Sequence, residues 1–512
     1  MTQCNQDRFE FANTSGRRQM VAEFNGGTIT SDAGSLLLKE TDSKRKLLSR
    51  FSQCFIDRRS PVLIKHTREQ MIRQRVYALM LGYEDLNDHE LLRQDPWLGV
   101  MAGKAEPGTD RWAGKSTLNR MELGTGTPSR YKKITFWRDC VDELLVDVFL
   151  EAHPVAPPEM VLDIDTTDMA LHGNQEDKFY HGYYKHYCYW PLYLFCGDHV
   201  LCARLRPSSI GPAVGSRKEV ERIVNQIRQR WPEGKIILRG DSGFCSEERL
   251  TWCENNGVHY VVGVARNQRL EKLMDGPLAD AQQQFEATQQ PARIFVELAH
   301  QTLQGMWNQD RRVVAKAEHI NGKSNPRFIV TSLDAESWEK QKLYEELYCA
   351  RGDRENRIKE QFVLLADRVS VSTMRGNQLR VYRSVLAYTL MNGLRRLGLR
   401  ATTMATAQVG TIRLKLLKIG ALIQVTVRKV WVRMASSYYI LTRRCSRKFS
   451  NNSGPECCGP WGHRSLTTDS ILFLTLVRIG VSASAVSCSN SRPPVRSLTN
   501  AGPNRGLART VR

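Results

Sequence analysis

Two predicted strands that end in acidic residues constrain the fold of this chain more than any other feature. The segment 160–168 alternates apolar residues with Asp163 and Asp165, so that both acids lie on one face of a short strand. Carboxylates on a strand face are costly unless a cation or water meets them. The apolar run 235–240 ends abruptly in Asp241, at the edge where open α/β sheets place their ligands. Both strand ends therefore predict a ligand site, although Asp241 could equally serve as a turn residue or helix N-cap.

A charged segment further along the chain supplies a third carboxylate. A helix over residues 347–360 would place Tyr348, Arg351 and Glu355 on one side, because offsets of three and four residues stack on neighbouring turns. A carboxylate beside an arginine fork suits a site that binds both a divalent metal and a nucleic-acid backbone. Taken alone, the segment is more commonly a solvated helix face.

The order of the predicted elements indicates an α/β fold. After the first strand, segments 187–195 and 199–206 form an antiparallel hairpin, and 216–231 has the apolar spacing of a helix. The strand before Asp241, a helix at 246–256 and a strand at 258–264 complete the series. This is the RNase H-like topology, a mixed five-stranded sheet with flanking helices. In that fold, carboxylates on the first strand, after the fourth strand and on a late helix surround two divalent metals.

Three short motifs resemble the signatures of DDE insertion-sequence transposases. They are the Asp-Thr-Thr at 165–167, the Arg-Gly-Asp-Ser at 239–242 and the Tyr-x2-Arg-x3-Glu at 348–355. The segments 24–34 and 171–175 are also similar to this family, and the closest resemblance is to the group named for insertion sequence 1380. The resemblance covers residues 20 to 440, and its combination of motifs is more specific than any one of them.

The resemblance implies a function and its residues. The catalytic triad, which also binds the metal, would be Asp165, Asp241 and Glu355, with Asp163 and Asp168 as competing first-strand acids. Two Mg²⁺ ions about 4 Å apart would support strand cleavage and strand transfer, and Mn²⁺ would substitute. The implied partners are double-stranded DNA with terminal inverted repeats, target DNA and a second copy of the chain in a paired-end homodimer.

Supporting DNA contacts follow from the same motif, with one departure from the family pattern. Tyr348 and Arg351 are the implied contacts. The wider superfamily often has a lysine seven residues after the glutamate, where this chain has Phe362. Lys359, one helical turn after Glu355, is the residue that could serve instead.

The charge distribution favours a polyanionic partner. The chain of 512 residues has a formal net charge of +21. Residues 368–455 hold 17 Lys and Arg and no Asp or Glu, interleaved with apolar residues, which predicts a folded helical region with one basic face. Arg395 and Arg396 are its candidate DNA contacts, and a generic solvated face is the alternative.

The expected organisation has a catalytic core interrupted by an insertion. Trp307, within that insertion, is a candidate support for a flipped base, as in similar transposases, although a core or surface tryptophan is more common. The predicted regions are a mostly helical DNA-end-binding region (1–150), an RNase H-like core (155–265 and 335–370), a β-rich insertion (266–334), a basic helical region (371–440) and a disordered or aberrant tail (441–512).

Other classes of protein fit less well. No 18-residue apolar run or signal peptide occurs, and 13 scattered cysteines favour a reducing compartment, so a bacterial cytoplasmic, nucleoid-associated protein is expected. The histidines and cysteines between 172 and 202 lack zinc-ligand spacing. Two alternatives stay open, namely a structure-selective nuclease on the same fold and a catalytically inactive DNA-binding repressor of the element.

Overall fold

The computed structural model of the protein describes residues 8–15, 18–103, 111–124, 129–300, 307, 309–320 and 322–436. The tail predicted at 441–512 lies outside these residues. Within the described ranges, no helix has both the length and the apolar character needed to cross a membrane.

The N-terminal region consists mainly of helices separated by short strands. A capping box between Thr67 and Gln70 starts its central helix, and Gly82, with a φ of 88°, ends it. The elements are β1 (Arg8–Ser15), β2 (Arg18–Glu23), β3 (Ile29–Thr30), α1 (Leu36–Arg45), α2 (Leu47–Gln53), β4 (Phe55–Asp57), α3 (Arg68–Leu81), α4 (Asp88–Leu92), α5 (Pro96–Met101), α6 (Lys115–Glu122), β5 (Ile134–Phe136) and α7 (Arg138–Glu151).

The middle of the chain forms a mixed sheet with helices. Its elements are β6 (Met160–Thr166), β7 (Met169–Ala170), β8 (Phe179–His181), β9 (His186–Tyr189), β10 (Leu192–Cys196), β11 (His199–Arg204), α8 (Ser216–Arg230), β12 (Ile236–Gly240), α9 (Glu247–Asn255), β13 (His259–Val264), α10 (Gln268–Lys272), α11 (Asp275–Thr288), β14 (Ala292–His300), β15 (Arg311–Ile320), β16 (Lys323–Ser324) and β17 (Arg327–Thr331).

The large sheet has the strand order β11-β10-β6-β12-β13-β17-β15-β14. β12 runs parallel to both β6 and β13, and the other neighbours on this path are antiparallel. All five residues of β12 are buried, as expected for a central parallel strand covered on both faces. The sheet therefore places the carboxyl ends of β6 and β12 side by side.

The predicted hairpin begins later than expected. Residues 187–189 belong to β9, which pairs with β7 and β8 in a small separate sheet. Pro191 lies between β9 and β10, and a proline has no backbone N–H for a ladder hydrogen bond. The expectation of one continuous strand over 187–195 was therefore wrong, whereas the turn at Gly197, with a φ of 55°, joins β10 to β11 as predicted.

The strands of the predicted insertion extend the large sheet. β17 pairs with β13, so β15 and β14 continue outward from the core strands. This pairing satisfies backbone groups that would otherwise be unpaired along the edge of β13. The segment also contains the helix α11, which the sequence analysis did not predict and which packs on β14 and β15.

The C-terminal part combines helices and strands around a buried helix. Its elements are α12 (Lys340–Lys342), α13 (Gly352–Val363), α14 (Met374–Leu394), α15 (Val409–Ile412), β18 (Ala421–Val425) and β19 (Val430–Met434). Sixteen of the residues of α14 are buried, and the helix packs against α1, α3 and β11. The expected helical region therefore ends in two strands, which join β3 through β18 because its alternating apolar residues suit a half-buried strand.

Candidate active site

The first two predicted acids lie on neighbouring parallel strands. β6 and β12 pair so that Arg239 lies beside Asp163. Asp165 lies two residues further along β6, and Asp241 directly follows the last residue of β12. Both acids therefore lie at the carboxyl ends of two neighbouring parallel strands, which are about 4.8 Å apart in a sheet.

Asp163 is held in a buried ion pair. Its Oδ1 and Oδ2 accept hydrogen bonds from Arg239 Nε at 2.5 Å and Nη2 at 2.7 Å. The Nη1 of Arg239 donates to the carbonyl of Leu347 at 2.5 Å. The side chains of Asp163 and Arg239 are 2% and 8% exposed. This bidentate pair therefore joins β6, β12 and the segment that contains Tyr348.

Asp241 caps a turn with one carboxylate oxygen and faces Arg351 with the other. Its Oδ1 accepts a hydrogen bond from Gly243 N at 2.9 Å, so the N-cap interpretation is confirmed. Its side chain is 36% exposed, and its Oδ2 lies 3.8 Å from Arg351 Nη1. A carboxylate has two oxygens, so capping through one oxygen is compatible with a second interaction through the other.

Asp165 and Asp168 lie in different surroundings. Asp165 is 9% exposed, and its Oδ1 accepts a hydrogen bond from Thr166 N at 2.9 Å. Asp168 Oδ2 lies 2.9 Å from Nε2 of His186. Asp163 thus pairs with Arg239 and Asp168 with His186, whereas Asp165 lies near the end of β6, beside the strand that leads to Asp241.

The predicted helix with Tyr348, Arg351 and Glu355 is confirmed, but it is not a uniform α-helix. Leu343–Tyr348 is a π-helical turn and Cys349–Arg351 is a 3₁₀ turn, after which α13 begins at Gly352. Such π-turns occur frequently at functional sites. The guanidinium of Arg351 lies 5.8 Å from the ring centre of Tyr348, and Glu355 is exposed in the first turns of α13.

Gly263 allows these groups to approach one another. A Cβ at this position would lie 2.7 Å from the Tyr348 hydroxyl and 2.9 Å from Ser242 N, closer than real Cβ contacts. Only glycine therefore lets β13 touch both the Asp241 turn and Tyr348. Gly263 was not among the predicted site residues, although a glycine within a strand is a recognised signal of close backbone approach.

The donor chemistry fits a divalent metal, but only two of the three acids lie at the carboxyl ends of neighbouring strands. Asp165, Asp241 and Glu355 supply hard carboxylate oxygens, the ligands that Mg²⁺ prefers. Among the described residues, no group of three or more His, Cys, Asp or Glu side chains is arranged to hold a metal ion. Asp165 and Asp241, at the carboxyl ends of β6 and β12, are therefore the two acids whose positions suit such an ion.

A family comparison identifies the class of protein. Residues 12–445 match the family model described as transposase DDE domain group 1. The chain belongs to this family. A search of curated proteins finds no match. A cryo-EM structure of the piggyBac transposase synaptic complex with hairpin DNA is similar at 11% sequence identity and a TM-score of 0.39, covering 76% of this chain and 80% of that chain.

This DNA transposase pairs Arg395 and Arg396 within its own fold. Nη2 of Arg395 binds Glu360 at 2.5 Å, and the same guanidinium donates to the carbonyl of Ala407. Nη1 of Arg396 lies 2.8 Å from Nε2 of His199. Burial and then the nearby Arg396 lower the pKa of His199 to about 3, so this imidazole is neutral at physiological pH.

The acid-free segment 368–455 of the transposase is therefore not an unopposed basic face where the structure describes it. Arg380 and Arg383 pair with the buried Glu122, as Arg395 does with Glu360. Three arginines, those at 75, 380 and 383, keep the pKa of Glu122 at about 2 against the opposing effect of burial. Glu122 and Glu360 lie outside residues 368–455, so the composition of that segment alone overestimated its unpaired positive charge.

Two further predicted DNA contacts of the transposase differ in their exposure to solvent. Trp307 is 5% exposed in the hydrophobic core, with the Arg311 guanidinium 5.4 Å from its ring centre. This buried position corresponds to the common core tryptophan and not to an open base-stacking surface. Lys359 is exposed on α13, where it follows Glu355 by one helical turn.

Proposed function

We propose that this transposase cuts and rejoins DNA strands at the terminal inverted repeats of its own element. The observation that supports this most directly is the position of Asp165 and Asp241 at the carboxyl ends of the adjacent parallel strands β6 and β12. We assign Asp165, Asp241 and Glu355 as the catalytic triad and metal ligands. The pairing of Asp163 with Arg239 favours Asp165 as the first acid, because an aspartate bound by both oxygens is poorly placed to bind a metal.

We also infer that the catalytic core is RNase H-like and that the chain belongs to the insertion sequence 1380 group. Taken in chain order, the first five strands of the large sheet lie in the order third, second, first, fourth, fifth, with the second antiparallel to the first and the fourth and fifth parallel to it. This is the arrangement expected for that core. The motifs at 165–167, 239–242 and 348–355 support the group assignment.

The triad would hold Mg²⁺, or Mn²⁺ in its place. When bound, such ions polarise the phosphate and generate a nucleophile from water or a 3′-hydroxyl. The Arg351 guanidinium lies 3.8 Å from the Asp241 carboxylate and is 25% exposed, so it is placed to orient a phosphate oxygen at this edge. Tyr348 supports the Arg351 guanidinium through its ring, and the Asp163–Arg239 pair secures the backbone at Leu347.

The proposed partners are double-stranded DNA with inverted repeats, target DNA and a second copy of the chain. Pairing of two element ends by one enzyme would bring two active sites together, which favours a homodimer. Analytical ultracentrifugation with and without end DNA measures this directly. A monomer that stays at one copy per DNA end would contradict the dimer proposal without affecting the triad.

The decisive experiment is a strand-cleavage and strand-transfer assay on labelled terminal repeats with Mg²⁺. The wild type is expected to produce both cleaved ends and joined products, and Asp165→Asn, Asp241→Asn and Glu355→Gln should produce neither. Asp168→Asn serves as the matched control, because it removes a neighbouring acid that pairs with His186. Cleavage without joining would indicate a structure-selective nuclease. Binding without cleavage would indicate a repressor, and either result would overturn the proposal.

A further inference from the structure

A basic pocket lies in the N-terminal region, among residues not assigned to catalysis. The cavity has a volume of about 210 Å³. Its polar lining consists of four cationic side chains, one hydroxyl and one phenol, from Arg59, Thr117, Arg120, Arg130, Tyr131 and Lys133. Among the residues that the structure describes, none of those lining the cavity is acidic. A cavity of this composition repels cations and attracts anions.

Strand pairing brings the cations together from distant parts of the chain. β4 and β5 pair in antiparallel register, with Asp57 beside Ile134. One step further, Arg58 N donates to the carbonyl of Lys133 at 3.0 Å, so the basic pairs 58–59 and 132–133 meet at the same ends of two strands. Arg120, on α6, adds a charge from a third element. The positive cluster is therefore held by the backbone of the fold.

A tight turn presents the remaining two side chains to solvent. Ser129 N donates to the carbonyl of Lys132 at 3.0 Å, and Lys132 N donates to Ser129 Oγ at 3.1 Å. Between them, Arg130 and Tyr131 point outward. Tyr131 is 66% exposed, and the guanidinium of Arg130 lies 5.5 Å from its ring centre. Exposed aromatic rings beside cations are typical of surfaces that bind nucleic acids.

The charge of this pocket differs from that of the arginine-rich segment near the C-terminus. Arg59 forms an ion pair with Asp57 at 2.6 Å. Arg120, Arg130 and Lys133 are exposed and make no ion pair with any residue that the structure describes. The arginines at 380, 383 and 395 are neutralised by buried or half-buried acids instead. The pocket therefore offers positive charge that is available to a partner.

We propose that the basic pocket binds the phosphate backbone of DNA. This inference rests on the proposed function, because it takes the DNA substrate from it and adds a contact outside the triad. The three exposed cations each bind a backbone phosphate, and Tyr131 packs against the adjacent sugar. Phosphate contacts orient a duplex without reading its sequence. The pocket thus contributes affinity and register, and the sequence of the element end is read elsewhere.

The test is the salt dependence of DNA binding by the full-length protein. The triple variant Arg120→Gln/Arg130→Gln/Lys133→Gln is compared with Lys272→Gln/Lys323→Gln/Arg327→Gln, which removes three exposed cations from α10, β16 and β17. Each phosphate contact contributes about 0.9 to the log–log slope, so the pocket variant should lower the slope by about 2 to 3 and the affinity at least tenfold. The control variant should keep the wild-type slope. Equal slopes for the two variants would overturn the proposal.

A charge-retaining variant separates phosphate binding from a change in fold. Arg120→Lys/Arg130→Lys keeps both cations and should retain the slope, and circular dichroism should be unchanged in every variant. Inorganic phosphate serves as a second probe. If phosphate binds the wild type while the glutamine variant keeps full DNA affinity, the pocket takes a small anion and the DNA proposal is wrong.

Failure of this proposal can be distinguished from failure of the proposed function. A wild type that cleaves and joins end DNA while the pocket variant binds with an unchanged slope rejects the pocket alone. A wild type that shows no metal-dependent cleavage, together with a pocket variant of reduced slope, rejects the catalytic proposal and keeps the pocket as a DNA contact.

Discussion

Arg239 binds both carboxylate oxygens of Asp163, its neighbour on the adjacent parallel strand. Two residues further on, Asp165 lies near the end of β6, and Asp241 directly follows the end of β12. The buried Asp163–Arg239 ion pair therefore lies inside the sheet, and the two acids Asp165 and Asp241 follow it at the carboxyl edge. The ion pair also binds the carbonyl of Leu347, which connects the first two acids to the helical segment of the third.

This arrangement predicts different effects for substitutions of Asp163 and Asp165, which are two residues apart on β6. Asp165→Asn should abolish strand cleavage with little loss of stability, because it removes a metal ligand. Asp163→Asn should lower the free energy of unfolding by about 3 to 5 kcal/mol, because it leaves the buried Arg239 charge unpaired. Urea denaturation and cleavage assays on both variants check this. A stable, inactive Asp163→Asn beside an active Asp165→Asn would reverse the assignment of the first acid.

Metal-free DNA binding gives a second prediction about Asp241. Its carboxylate lies 3.8 Å from Arg351 and is 36% exposed, so it competes with phosphate for that guanidinium. Asp241→Asn should raise affinity for DNA a few-fold in EDTA, since exposed charge pairs are worth about 0.2 to 1 kcal/mol. The same variant should gain nothing from added Mg²⁺. Asp241→Asn combined with Arg351→Gln should lose the increase, and an increase that persists would assign it to another cation.

Local periodicity predicted the elements that carry the site, because apolar residues recur at characteristic intervals in strands and in helices. The segments around Asp165, Asp241 and Glu355 were found this way. Contacts between distant segments leave no such spacing. The pairing of Arg395 with Glu360 and the burial of Trp307 depend on tertiary packing. Local composition therefore suggested Arg395 as a DNA contact, and the family resemblance suggested Trp307. The π-turn before Arg351 was likewise outside local prediction.

Close packing at Gly263 leads to a third prediction. Gly263→Ala should reduce cleavage at least tenfold, because its Cβ would lie 2.7 Å from the Tyr348 hydroxyl. The stability cost of such overpacking is about 1 to 3 kcal/mol. Tyr348→Phe removes the hydroxyl, so the double variant should recover part of the lost stability. Because the contact with Ser242 N would remain, full recovery would show that the turn at Asp241 tolerates the methyl group.

A buried histidine, His89, and a half-buried one, His199, predict a loss of stability in mild acid. Burial, followed by nearby arginines, lowers the pKa of both His89 and His199 to about 3 from an ordinary value of 6.5. The unfolded chain therefore binds protons that the folded chain does not, and stability present above pH 6.5 is lost as the pH falls toward 3. Each histidine contributes a slope of up to about 1.4 kcal/mol per pH unit in this window. Urea melts between pH 7 and 5 should show a shallower dependence for His199→Gln, and an unchanged dependence would contradict the neutral imidazole.

Arg395 gives the final prediction, because it separates structural from DNA-binding arginines. Its Nη2 binds Glu360 at 2.5 Å, and Glu360 Oε1 also accepts a hydrogen bond from Val409 N at 2.9 Å. Arg395→Gln should lower the free energy of unfolding by about 1.5 to 3 kcal/mol, the range for hydrogen bonds to charged groups. It should leave the salt dependence of DNA binding unchanged, in contrast to the basic-pocket variant. Glu360→Gln is the matched control and should destabilise the fold to a similar extent. A shallower salt slope for Arg395→Gln with unchanged stability would restore this arginine to the DNA interface.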